Sequence, residues 1–400
     1  MSETVIVNAG WLIDGTGGPV RKNIRLRIEN GIIRSISDSR SVDSRKDRVI
    51  DFGSDTILPC LIDSHVHLCM SGTDDPVARE KQLGAGFDEI KGFISEHIKR
   101  HLSYGVLAVR DGGDKHAHLL RYRNEYPDFK KMPIGIRVAG RAWHRAGRYG
   151  SLIGRPPQEN HSLAEAIKTD LEEKDHIKIV NSGLNSLKEF GKETLPQFGV
   201  EELSNAVRVA GKYGCRVMVH ANGKKPVAAA LAAGCNSIEH GFFMGSENLK
   251  IMAEKGIVWV PTACTMKAYA EHMKPGSIEH EVSRMNLDHQ LEQISKAREL
   301  GVTVALGTDA GSIGVHHGSA VIDEMELLIQ AGYSLPEAVK SSSKNGADLL
   351  GIYDFGILAS GKPATFLAVK GDPSKLPGSL NAIRVIYING TSASGGLKLD

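Results

Sequence analysis

Six side chains able to bind metal or move protons stand at or near the ends of apolar runs. They are His65 and His67 in PCLIDSHVH, Lys178 in HIKIVNSG, His220 in RVMVHANG, His240 in SIEHG and Asp309 in TVALGTDAG. His65 and His67 lie two apart, which on an extended chain puts both imidazoles on one side, as a shared metal requires. Lys178 sits between Ile177 and Ile179, in a register that could face it inward, where a buried ammonium is strongly disfavoured. One escape is loss of the proton and reaction with carbon dioxide. The resulting carbamate has two oxygens and can bridge two cations. Asp309 could hold a metal through one oxygen and take a proton through the other.

Each residue alone has an ordinary reading. The histidines could be polar rim residues, the lysine could snorkel between helices, and the aspartate could hydrogen-bond a turn beside Gly311. Their joint placement overrides these readings, because it follows the elements that would have to position them. Apolar strand-like runs occur at 57–67, 106–113, 134–140, 176–183, 216–223, 237–241, 257–262 and 303–311, mostly separated by amphipathic helical patterns such as FDEIKGFISEHIKRHLSYG and VEELSNAVRVAGKYG. Eight alternating strands over about 250 residues match a (β/α)8 TIM barrel. A doubly wound open sheet is the alternative, weakened by the lack of a GxGxxG turn after the first strand. In the barrel the six residues occupy the C-terminal ends of strands one, one, four, five, six and eight, where barrel enzymes keep their chemistry.

Short β-rich runs fill the first ~57 residues and return in the last ~45, so the two termini are expected to build one small β-sandwich. The expected division is 1–57 and 355–400 for that sandwich, with 58–354 for the barrel.

The 400 residues carry 49 basic and 47 acidic side chains, a net charge of +2, with 41% hydrophobic and 24% charged residues. This balance contains no basic block for nucleic acid and no acidic tail, and points to a small-molecule substrate. No apolar run reaches membrane-span length, and the N-terminus lacks a signal-peptide pattern. The odd five cysteines, none in a CxxC pair, read as reduced thiols, so a cytoplasmic location is expected. Cys69, two residues after His67, is read as a small buried hydrophobe. Homo-oligomerisation is left open.

Together with GVLAVRDGG, AALAAGCNSIEHG and LASGKPATFLAVKGDP, the quoted motifs resemble the amidohydrolase superfamily, in its imidazolonepropionase-like and Xaa-Pro dipeptidase-like branch. The resemblance implies a distorted (β/α)8 barrel and two divalent metal ions, usually Zn2+. It assigns His65, His67 and Asp309 to one ion, and His220 and His240 to the other. An N6-carboxylated Lys178 would bridge them. Two departures stand out. Cys60 replaces a common glycine, and GRAWHRAGRYG stands where the branch often has a TGGHG-like loop.

The expected chemistry is hydrolysis of an amide or peptide-like C–N bond in a small carboxylated substrate, a dipeptide or N-acyl amino acid, with Asp309 moving the proton. In the 140–150 loop, His144 and Tyr149 are candidates to steady an oxyanion, and Arg141, Arg145 and Arg148 are candidates to pair with a carboxylate. A cyclic-amide hydrolase or heterocycle deaminase is the alternative enzyme. A non-catalytic barrel is disfavoured because all six ligand positions are filled.

Overall fold

The computed structural model describes residues 4–38, 48–126, 129–170 and 172–393. Strands β1 (Thr4–Leu12), β2 (Arg21–Glu29) and β3 (Ile32–Asp38) form an antiparallel meander, and β4 (Arg48–Pro59) returns parallel to β1. The chain then runs through β5 (Leu61–Val66), β6 (Val106–Asp111), β7 (Gly135–Arg137), β8 (Ala142–Trp143), β9 (Gly154–Arg155), β10 (His176–Val180), β11 (Arg216–Ala221), β12 (Ser237–His240) and β13 (Val258–Val260). It closes with β14 (Phe366–Lys370), β15 (Ile383–Ile388) and β16 (Thr391–Ser392).

Both termini meet in one sheet, ordered β16-β15-β14-β4-β1-β2-β3. Strand β2 shows why it forms a face: Ile24, Leu26 and Ile28 are buried while Arg25 and Arg27 alternate outward. The expected sandwich takes the form of this single sheet, which curls back on itself. Gly361 N–H donates to Ile33 O and Ala364 N–H to Gly31 O, enclosing a core that includes Val7, Leu26, Phe52, Ile57 and Phe366.

The middle of the chain is α/β, with two parallel sheets: β5-β6-β7 and β13-β12-β11-β10-β8-β9. Every residue of β5 and of β10 is buried, the mark of strands covered on both faces. The helix Phe87–Ser103 buries Phe87, Ile90, Ile94, Ile98 and Leu102, a helical stripe in which each fully buried side chain contributes about 1.5–3 kcal/mol.

Among the described residues the two sheets do not close as one ladder. The expected eighth strand, 303–311, joins β13 and β5 through single parallel bridges, Trp259↔Val304 and Val66↔Ala310. Backbone bonds fill in between: Ala305 N–H donates to Trp259 O, Ser64 N–H to Leu306 O and Asp309 N–H to His65 O. A side chain at Gly307 would collide with Val260 and His65, so this segment can lie so close only as glycine. At the other junction the third strand breaks at Gly140, whose φ is +67°. Ala142–Trp143, beyond the break, takes the place beside β10.

Candidate metal centre

His65 near the end of β5, Lys178 within β10, His220 near the end of β11, His240 at the end of β12 and Asp309 converge with His67 on one cavity of about 300 Å³. His65 Nε2 and His67 Nε2 lie 3.4 and 3.2 Å from Asp309 Oδ1. These three residues offer ligand atoms all within 4.8 Å of one another, a group able to hold a metal ion. Lys178 Nζ is 3.4 Å from His65 Nε2. The ring centroids of His220 and His240 are 4.6 Å apart, and those of His65 and His240 are 5.0 Å apart.

The ring nitrogens are sorted by what they touch. His65 Nδ1 is 2.9 Å from Glu239 Oε2, and since an ionised carboxylate only accepts, Nδ1 carries the proton and leaves the Nε2 lone pair free. His67 Nδ1 donates to Gly113 O at 2.9 Å, which turns Nε2 toward Asp309 Oδ1. His220 Nε2 donates to Gly183 O at 3.2 Å, leaving Nδ1. His240 Nδ1 lies 2.7 Å from Thr262 Oγ1, so Nε2 is its remaining nitrogen.

Burial dominates the electrostatics. It holds His65 and His240 well below the ordinary imidazole value and His220 at about 4, so all three rings are neutral. Burial also pulls Lys178 down to about 8, against the pull of Glu239 and Asp309 in the other direction. Asp309 is pushed up by burial but held well below the carboxylate range by the stronger combined effect of its bond to His67 and the imidazoles around it. Burial lowers His67, but its bond to Asp309 and that carboxylate's charge outweigh the effect and raise it. Three neutral imidazoles, an ionised carboxylate and a readily deprotonated amine suit a divalent cation.

The backbone is bent to place two of these groups. His240 and Asp309 have φ of +66° and +59°, a left-handed conformation costing about 1–2 kcal/mol for a non-glycine residue. His240 is held there by bonds to its carbonyl from Trp259 Nε1 and Gln290 Nε2, and Asp309 by its N–H to His65 O.

A buried charge network braces His65 from behind. Arg110 donates to Ser64 O, Ser237 Oγ and Glu239 Oε1, the last at 2.8 Å. Sequence reasoning missed Arg110 and Glu239, although an arginine inside the apolar run VLAVRDGG was a legible signal. Tyr269 and Arg79 also line the cavity. Their surrounding sequences held no motif, so only the fold reveals them.

The 140–150 loop divides. Tyr149 lines the cavity with its ring 5.4 Å from that of His220. His144 is buried away from the cavity, its Nδ1 bonded to Arg145 O. Arg145 pairs with Glu202, Arg148 reaches Leu195 O and Arg141 pairs with Glu172. None of these arginines lines the cavity. All five cysteines are free thiols, and Cys69 is buried outside the cavity lining. No helix among the described residues is long and apolar enough to cross a membrane.

Residues 56–392 match the Amidohydrolase family. This chain belongs to the amidohydrolase family. It is a hydrolase acting on carbon–nitrogen bonds, of a family whose members act on small molecules and bind divalent metals. It is 24% identical to Aspergillus niger ochratoxinase over 93% of this chain and 82% of the relative. Imidazolonepropionase of Deinococcus deserti is more distant, at 22% identity over 92% of this chain and 93% of the relative. A solved Xaa-Pro dipeptidase with methionine bound in its active site aligns with TM-score 0.81 at 27% identity, covering 98% of this chain and 100% of that one. The branch resemblance read from the motifs therefore stands.

Proposed function

We propose that this amidohydrolase binds two divalent metal ions, zinc being the usual choice, and hydrolyses the amide bond of a small carboxylated substrate such as an N-acyl amino acid or dipeptide. The observation that carries the reading is the sorting of protons on the four histidines. Each ring commits one nitrogen to a fixed partner outside the ligand group, and all four rings line the same cavity, His67 turning its second nitrogen to Asp309. His65, His67 and Asp309 would hold one ion and His220 and His240 the other, with Lys178 carboxylated and shared between them. Carboxylation requires the free amine, and burial of Lys178 lowers the cost of producing it. The metals would supply a lowered pKa for water and polarisation of the scissile carbonyl.

The chain's own residues supply the remainder. Asp309 accepts the proton of the attacking water and delivers it to the leaving nitrogen. The Tyr149 hydroxyl, kept neutral by burial and by the Asp309 charge, donates to the oxyanion. Around this centre, 58–354 are assigned to a distorted (β/α)8 barrel, with 1–57 and 355–400 as its β companion.

The test is metal analysis joined to a substrate panel. Two ions per chain, with turnover of dipeptides or acyl amino acids, supports the reading. A single ion, with ring opening of cyclic imides or ammonia release instead, would replace it with the imidazolonepropionase-like reading. A purified chain without stoichiometric divalent metal would sink both.

A further inference from the structure

We infer that Arg79 is the residue that recognises the substrate's carboxylate, with the Tyr269 hydroxyl beside it and the apolar wall of the same cavity receiving the substrate's side chain. The inference rests on the hydrolase reading above, and gives that site a substrate class: acyl or peptidyl derivatives of an apolar amino acid with a free carboxylate.

Lys178 and Arg79 are the two cationic side chains that line the cavity. Lys178 lies against His65 in the ligand cluster. Arg79, on the helix Pro76–Gly84, is half-buried and donates Nη1 to Gly311 O at 3.0 Å, two residues beyond Asp309. That single bond orients the guanidinium and leaves further N–H groups of its planar fork available. Among the described residues no carboxylate lies within ion-pair distance of Arg79. The arginines of the 140–150 loop differ: Arg145 and Arg141 are neutralised by Glu202 and Glu172, and Arg148 bonds a carbonyl outside the cavity. An unpaired cation at the wall of a largely enclosed site calls for an anion, and a bidentate carboxylate fits the fork.

Tyr269 lines the same cavity, and the Arg79 charge acts on its hydroxyl and on that of Tyr149. Neither hydroxyl has a hydrogen-bond partner among the described residues, so both are available as donors. Ile153, Leu187, Phe242, Met266 and Ile313 supply an apolar part of the wall, and the polar residues beside them, Asn185, Asn222, Thr265 and Ser312, are uncharged. A substrate with one carboxylate and an apolar body matches this division.

Calorimetry with the uncleavable ketomethylene analogue of N-acetyl-L-leucine and with the carboxamide of that analogue, on zinc-loaded protein, tests the assignment independently of turnover. The wild type should bind the acid at least about tenfold more tightly than the amide. R79Q should lower that ratio by about 10–100-fold, R79K should retain part of it, and R145Q should keep it. Equal binding of acid and amide by the wild type, binding of neither, or an R79Q variant that loads metal yet keeps the ratio would each overturn the role of Arg79. Turnover is read separately as KM and kcat on N-acetyl-L-leucine and its carboxamide. A wild type that binds the acid selectively but cleaves no acyl amino acid or dipeptide refutes the proposed substrate class and leaves the carboxylate site standing.

Discussion

Two clusters of buried histidines lie close together in this molecule. His65, His67, His220 and His240 surround the cavity, whereas His97, His101 and His317 pack behind the loop that follows β5. In the second cluster His97 and His317 stack with centroids 4.0 Å apart. Here too the rings face fixed acceptors. His97 Nδ1 donates to Leu68 O and His317 Nε2 to Met70 O, but the second nitrogen of His317 is taken up by His101. No carboxylate joins them among the described residues, and none of the three lines the cavity. Burial is thus the same in both, and four imidazoles in one face three in the other. What separates a centre able to hold metal from a packing motif is a carboxylate within reach and lone pairs left over for a common point.

The sharpest way to break this contrast is to remove the carboxylate. Asp309→Asn should lower kcat by about 10²–10⁴-fold, since it would remove the proposed proton carrier, and should reduce bound metal measured by plasma emission. Retention of both metal and rate would equate the two clusters. Lys178→Ala should take metal content from two ions toward one and abolish most turnover, with partial recovery on adding short-chain carboxylates. Unchanged metal content would remove the lysine from the centre.

The brace behind His65 offers a smaller effect. Glu239→Gln leaves the buried Arg110 charge without its carboxylate, and should cost about 3–5 kcal/mol in urea unfolding, with metal affinity about 10–100-fold weaker. An equal substitution effect on stability with no change in metal affinity would make the network purely structural.

The packing cluster should answer to pH in its own way. Burial pushes His97 down to about 4 and His101 to about 3, from an ordinary value of 6.5. The unfolded chain therefore binds more protons than the folded one below pH 6.5. Their contribution is complete above that pH and declines as pH falls toward the folded values, by about 1.4 kcal/mol per unit for each histidine. His97→Gln should flatten stability against pH by about one proton between pH 6 and 5, while leaving metal content unchanged. A change in metal content would link the two clusters.

The candidate ligands were legible because their positions follow the βα period, which a linear sequence displays. The α/β alternation was legible for the same reason: LIDSHV and HIKIV are continuous apolar-rich runs, and the helix Phe87–Ser103 keeps its stripe. The run 303–311 was expected as an eighth strand; it lies between β13 and β5 but meets each through a single bridge and forms no strand of its own, which the apolar pattern does not show. The loop arginines looked available for a carboxylate because a sequence does not show Glu202 and Glu172 meeting Arg145 and Arg141.

The sequence alone determined which residue types recur at strand ends, and with them the family, the ligand candidates and the class of reaction. Periodicity is local, and so is the spacing that carries it. Tertiary structure decided which nitrogen of each histidine is free, that Glu239 and Arg110 brace His65, and that Arg79 rather than Arg145 or Arg148 faces the cavity. Those outcomes depend on contacts between segments far apart in the chain, where a donor meets its acceptor only after the strands have packed.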